Sequence, residues 1–208
     1  MYLQPNNIKM YSTPSISEMK NEALSKLEGQ WGNGAISYLV MIILLMIPFA
    51  SFFISGPLQL GIAGTFLKVS RGGKAEINDL FDGFRNFGNA FLLYLLMSIL
   101  IIIGVIFLIV PGIIIALALS QSYRILKDNP EINAIDAMQR SFDLMKGHKG
   151  DYFVLTLSFI GWAILCLFTL GIGFLFLAPY YSTTSSVFYN HITNYKDQEL
   201  EQLATEVA

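Results

Sequence analysis

The chain has 208 residues, of which 54% are hydrophobic and only 13% charged, with a mean hydropathy of +0.55 and a formal net charge of -2. A soluble domain carries about 25% charged residues, and here Asp, Glu, Lys and Arg are absent from residues 29–67, 86–123 and 152–195. These numbers exclude a disordered chain, a nucleic-acid binder and a disulfide-stapled secreted domain. The single cysteine, Cys166, allows neither an intrachain disulfide nor a metal–cysteine cluster.

In chain order, residues 1–13 read as a polar cytoplasmic tail without a cleavable leader, so the first span serves as its own signal. An amphipathic helix follows, with Ser15 and Glu18 in capping-box spacing, Ile16, Met19, Ala23 and Leu27 on one face, and Gly29 as the stop. Each charge-free window is about twice the ~20 apolar residues that one span needs, so each holds two spans and a turn. The spans read as Gly34–Ser55, Pro57–Ser70, Asn89–Val110, Gly112–Lys127, Tyr152–Leu170 and Gly173–Ile192. Their turns fall at Ser55-Gly56-Pro57, Val110-Pro111-Gly112 and Gly171-Ile172-Gly173. A second amphipathic helix carries Ile77, Leu80, Phe81, Phe84 and Phe87 and stops at Gly88. A third opens with Asn129 as cap and Pro130 at the first helical position, and runs through Ile132, Ile135, Met138, Phe142 and Met145 to Gly147. Pro48 and Pro179 are expected to kink the first and sixth spans. Small residues at Gly61/Thr65 and Ala116/Ser120 are expected to admit close helix contacts. Residues 14–192 form one membrane domain, and residues 193–208 an acidic cytoplasmic tail.

Every one of the 13 Lys and Arg residues falls outside the windows, and none lies in the three turns. By the positive-inside rule both termini and all the polar connections lie in the cytoplasm. Aligning Trp31–Leu45 with Phe87–Ile101 pairs identical residues at Gly32/Gly88, Asn33/Asn89, Tyr38/Tyr94, Leu39/Leu95 and Met41/Met97, and the stretch from Gly150 repeats this more faintly. The fold expected is therefore all-α: a polytopic membrane protein of six transmembrane helices in three hairpins. Each hairpin is preceded by a short cytoplasmic amphipathic helix lying in the headgroup plane, in a pseudo-threefold arrangement.

The runs DLFDGFRNFGNAF, VPGIII, ILKDNPEINAIDAMQRSFDLMKGHKGDYF and SFIGWAILCLFTLGIGFLFLAPYYSTT, with GPLQLGIA before them, together resemble the six-span bacterial family catalogued as domain of unknown function 975. The resemblance spans roughly residues 17–190. It implies an integral protein of the bacterial cytoplasmic membrane, and brings no activity, cofactor or catalytic residue with it.

The residues themselves offer little to an enzyme. His148 and His191 stand alone, and no HExxH, CxxC, GxSxG or glycine-rich phosphate loop occurs. No catalytic, cofactor or metal site is expected, and no intramembrane acid is present to couple a proton or sodium gradient. One cluster stands out. From Pro57 to Lys68 and from Gly112 to Arg124 a helix rises only about 16 and 18 Å, against a hydrocarbon core of about 30 Å. Lys68 and Arg124 would thus start within the inner leaflet, near Gln121 and the polar run Tyr180–Ser186. Lys68, Gln121, Arg124, Tyr181 and Thr184 are the candidate pocket for an anionic lipid headgroup, set against simple snorkelling of two boundary cations. Two functions follow: a non-enzymatic scaffold or accessory subunit of an export-type membrane complex, which is the first expectation, or binding and translocation of an anionic lipid or amphipath. The partners implied are membrane lipids and another membrane protein, and no nucleic acid.

Overall fold

The structure is a computed structural model that describes residues 14–47, 50–107, 109–169 and 171–207. The described residues are all helical, with no strand among them. The helices are α1 (Ile16–Leu27), α2 (Trp31–Leu45), α3 (Ala50–Ser70), α4 (Ile77–Phe81), α5 (Phe87–Phe107), α6 (Ile109–Leu119), α7 (Ser122–Asp128), α8 (Ala134–Leu144), α9 (Lys149–Leu157), α10 (Ile160–Phe168) and α11 (Phe174–Val207). A 3-10 turn, Asp82–Asn86, joins α4 to α5. Four stretches are long and apolar enough to cross a membrane: Ser51–Ser70, Ile77–Ile106, Ile109–Asp128 and Lys149–Phe168. Helix α2 is apolar but shorter, and α11 is too polar to join them.

Burial sorts these helices into two classes. Helices α3 and α7 and residues 182–189 of α11 are buried against one another, whereas α2, α5 and α10 turn large apolar side chains outward. The most exposed of these, Met46 (76%), Ile106 (76%) and Phe168 (83%), sit where the chain reverses direction. The charged segments meet elsewhere: Lys68 pairs with Asp79, Lys127 with Asp82, Arg71 with Asp128 and His191 with Glu22. A bundle that presents aliphatic and aromatic side chains along its flank and gathers its charges at one end is built for a bilayer.

Three turns were expected and only the last is found where expected, with Gly171 at φ 85°. Gly56 and Pro57 lie inside α3 instead. Their smallness serves packing: a methyl on Gly56 would come within 2.4 Å of the Ala90 carbonyl oxygen, so α3 lies directly on the backbone of α5. Pro111 and Gly112 lie in the first two turns of α6, where a missing N–H leaves no helical bond unmade, and Gly112 packs on Val105 of α5. Gly88 is no stop, since α4, the 3-10 turn and α5 run on as one apolar stretch. The third amphipathic helix is capped by Asn133, which accepts from the Asp136 N–H at 2.8 Å, while Asn129 closes α7. The tail beyond Ile192 continues α11 to Val207. Pro179, inside α11, packs on Gly34 of α2, and Pro48 lies outside the described residues.

The amphipathic helices are only partly as expected. The Ser15–Glu18 capping box forms, and its hydrogen bonds hold the Glu18 carboxyl below the ordinary carboxylate range. Helix α1 buries Met19, Ala23 and Leu27, packing on α11. Helix α8 buries Ala134, Ala137, Met138 and Ser141 but exposes Ile135 and Phe142. Helices of this kind are anchored on one edge and leave bulky apolar groups for a second medium.

Gly61 shows the tightest approach expected to matter, though its neighbour is α4 and not another span. A methyl there would come within 1.9 Å of the Leu80 carbonyl oxygen. Gly61→Ala is expected to cost about 1–3 kcal/mol through forced backbone displacement. Thermal unfolding in detergent measures this, with Gly88→Ala, which meets nothing within 4 Å, as the neutral comparison.

Candidate functional site: a cavity at Arg124

The apparent fourth span is two helices, and the break between them makes the site. At Ser120-Gln121 the helical ladder is interrupted, which in an apolar environment would leave polar backbone groups unpaired. Ser141 of α8 repairs it: its hydroxyl donates to the Ala118 carbonyl at 2.8 Å and accepts from the Gln121 N–H at 3.2 Å. Helix α7 then starts with a new alignment and presents Tyr123 and Arg124 to the interior.

Arg124 is 8% exposed. Its Nε donates to Ser186 Oγ at 3.0 Å and its Nη1 to Gln121 Oε1 at 3.1 Å and to the Ser120 carbonyl at 3.4 Å, while Nη2 reaches only the Ser182 carbonyl at 3.5 Å. No carboxylate pairs with it among the described residues. A guanidinium carries five N–H donors, so Nη2 keeps capacity for an incoming acceptor. A buried cation held by neutral partners alone is expensive, and an anion would relieve it.

Beside Arg124 lies a cavity of about 440 Å³ between α2, α3, α7, α9 and α11. Its polar wall holds Tyr38, Ser120, Tyr123, Tyr152, Tyr181, Ser182 and Ser185, and Gln59 stands exposed on α3. The hydroxyls are linked: Tyr38 with Ser182, and Tyr152 with Ser185 at 2.7 Å and Tyr181 at 3.3 Å. Met41, Leu45, Ile62 and Ala63 supply an apolar wall. The lining runs from Arg124 toward Leu45 and Ser55, away from the end that carries the ion pairs. One guanidinium, several hydroxyls and an apolar flank can take an anionic head with an apolar continuation.

Of the five residues singled out from the sequence, the structure brings together Gln121, Arg124 and Tyr181. Thr184 is buried on the same helix but outside the cavity lining, its hydroxyl donating to the Tyr180 carbonyl at 2.9 Å. Lys68 is elsewhere. It is held at 3.0 Å by Asp79 and at 3.3 Å by Glu76, because its flexible aliphatic stem near the end of α3 carries the ammonium to those carboxylates. Tyr38, Gln59 and Tyr152 were missed, and the available signal was a polar group inside an otherwise apolar window. Among the described residues no group of His, Cys, Asp and Glu could hold a metal.

Residues 98–196 match the family described as Protein of unknown function (DUF975), so the resemblance carried by the motifs stands over that stretch. It includes Arg124, Tyr152 and the polar face of α11. No curated protein matches the chain, and no solved structure does.

Removing one linking hydroxyl should loosen this wall without unfolding it. Tyr152→Phe leaves Ser185 and Tyr181 without their shared partner, an expected loss of about 1 kcal/mol. Thermal unfolding should show it, while Tyr195→Phe, at an exposed site, should be silent.

Proposed function

We propose that this protein binds the anionic head of an amphipathic molecule inside a bacterial cytoplasmic membrane. The observation that carries the reading is Arg124: a buried guanidinium beside a cavity, with no carboxylate partner among the described residues. A volume of about 440 Å³ lies toward the low end of the 300–1,000 Å³ typical of ligand sites. It suits a phosphate or carboxylate head with the start of one chain. A scaffold role draws support only from the broad apolar flank, which any membrane protein shares.

In this reading the chain crosses the membrane six times as three helical pairs around a pseudo-threefold axis. The buried second members of the pairs (α3, α6–α7 and α11) line the centre, and the exposed first members face lipid. Both termini and the ion-paired end are cytoplasmic, and α4 and α8 rest their exposed Ile77, Phe81, Ile135 and Phe142 in the headgroup layer.

Two measurements test this. In a Cys166→Ser background, cysteine at Met46, Ile109 or Ile172 should react with an impermeant thiol reagent outside intact cells, and cysteine at Lys74 or Lys149 should not. Reaction at Lys74 would overturn the topology. For the site, charged hydrogen bonds contribute about 1.5–3 kcal/mol, so Arg124→Gln should weaken retention of lysophosphatidic acid roughly tenfold or more. Native mass spectrometry reads this, and Lys68→Gln, already paired with Asp79, should retain it like the unaltered protein.

A further inference from the structure

Helices α6 and α9 lie side by side, and a groove of about 340 Å³ stays open between them. Val110, Ile113, Ile114 and Leu117 recur at three- and four-residue spacing, so one face of α6 forms its first wall. Phe153 and Gly150 of α9 form the second. Gly150 leaves room there, since a methyl on it would meet nothing within 4 Å. The lining is apolar except for one charged residue, Lys149. That side chain is half-buried, and among the described residues no carboxylate lies within 4 Å of its ammonium. It stands instead 4.5 Å from the centre of the exposed Phe142 ring, with the Lys146 ammonium 5.8 Å from the same ring. The nearby carboxylates have other partners. Asp143 pairs with Lys146 at 2.7 Å and receives Lys196 on its carbonyl at 3.5 Å, while Asp151 lies 3.9 Å from His148. Three lysines thus gather beside one exposed ring, and the one that lines the groove is uncommitted.

We propose that this groove holds one anionic diacyl phospholipid of the cytoplasmic leaflet, with an acyl chain against α6 and the phosphate on Lys149. The proposal rests on the bilayer placement given above and is independent of the Arg124 cavity. An apolar groove by itself selects no lipid, because every tail offers it the same methylenes. Lys149 supplies the selection. An ammonium has three N–H donors, and those of Lys149 meet no oxygen among the described residues. The Phe142 ring attracts the charge without neutralising it, whereas a phosphate would do both. Basic pockets between spans on the cytoplasmic side collect anionic headgroups for this reason. A choline head brings a cation of its own, which the Lys146–Lys149–Lys196 group repels. The two sites therefore read different parts of a lipid. The Arg124 cavity surrounds a head with hydroxyls, and the α6–α9 groove takes a tail and leaves the head at a half-exposed lysine.

The test uses the full chain in phosphatidylcholine vesicles that contain a little phosphatidylglycerol with a photoreactive diazirine in its tail. Labelled peptides are mapped by mass spectrometry after irradiation, and phosphatidylcholine with the same tail is the comparison. Peptides covering Val110–Leu117 and Phe153 should take several-fold more label from the anionic lipid than from the neutral one. Lys149→Gln should lower that preference about two- to fivefold, the effect of one half-exposed charge pair, and Lys149→Arg should keep it. Gly150→Leu, which fills the groove, should remove the label from these peptides with both lipids. Arg124→Gln should leave the pattern unchanged, so failure of the cavity reading and failure of the groove are seen separately. Equal labelling by the two lipids, or a preference that survives Lys149→Gln, would overturn the site, as would undiminished label in Gly150→Leu. Preference lost in Arg124→Gln and kept in Lys149→Gln would overturn it in favour of the cavity. Suppression by soluble glycerol phosphate would overturn it in favour of a free anion. Absence of label along the whole flank, α5 and α10 included, would overturn the bilayer placement beneath it.

Discussion

A cation surrounded by helices and neutral hydroxyls is the interaction around which this structure is arranged. Removing a guanidinium from water costs several kcal/mol even after relaxation, and Arg124 meets that cost with Ser186, Gln121 and two backbone carbonyls. Those partners dictate much else. They go with Ser186 turned inward on α11, and with α7 beginning afresh at Ser122, directly after Gln121. The break this entails is made good by Ser141, which places α8 against α6.

The same economy of backbone hydrogen bonds governs the second break, between α9 and α10. There Lys20 of α1 donates to the Ser158 carbonyl at 3.3 Å and lies 4.2 Å from the centre of the Phe159 ring. Two short amphipathic helices therefore each supply a polar side chain to an interrupted apolar one. They are structural members of the bundle, each tied into it by a polar side chain. Interrupted helices whose freed polar groups meet near a charged site are a recurring way to hold an ion or polar head at membrane depth.

The polar interior around Arg124 and the ion pair of Arg71 differ in chemistry. At Arg124 the hydroxyls are neutral and adaptable, each able to donate or accept. At Arg71 the partner is a carboxylate in planar register, which is specific and closed. The pair is half exposed on the Arg71 side, at 48%, so water screens it and its net contribution to stability is small.

Composition and periodicity by themselves determined that the chain is helical and apolar, and that Ser15, Gly29, Gly147 and Gly171 mark boundaries. Each of these follows from local chemistry: a charge-free window, a cap three residues from its acceptor, or a glycine at positive φ. Gln121, Arg124 and Tyr181 were also legible, as polar groups inside apolar runs. What only the tertiary structure decided was how glycine, proline and charge are used. Gly56 and Gly61 resemble turn or seam residues in sequence, yet each exists because another backbone lies against it. Lys68 and Arg124 resemble each other in register, yet Asp79 and Glu76 claim one, while the other finds no carboxylate among the described residues. Tyr38 and Tyr152 stand 114 positions apart and meet only because α2 and α9 both pack on α11. Spacing along a chain fixes which face a residue occupies, and the packing of distant helices fixes which neighbour that face finds.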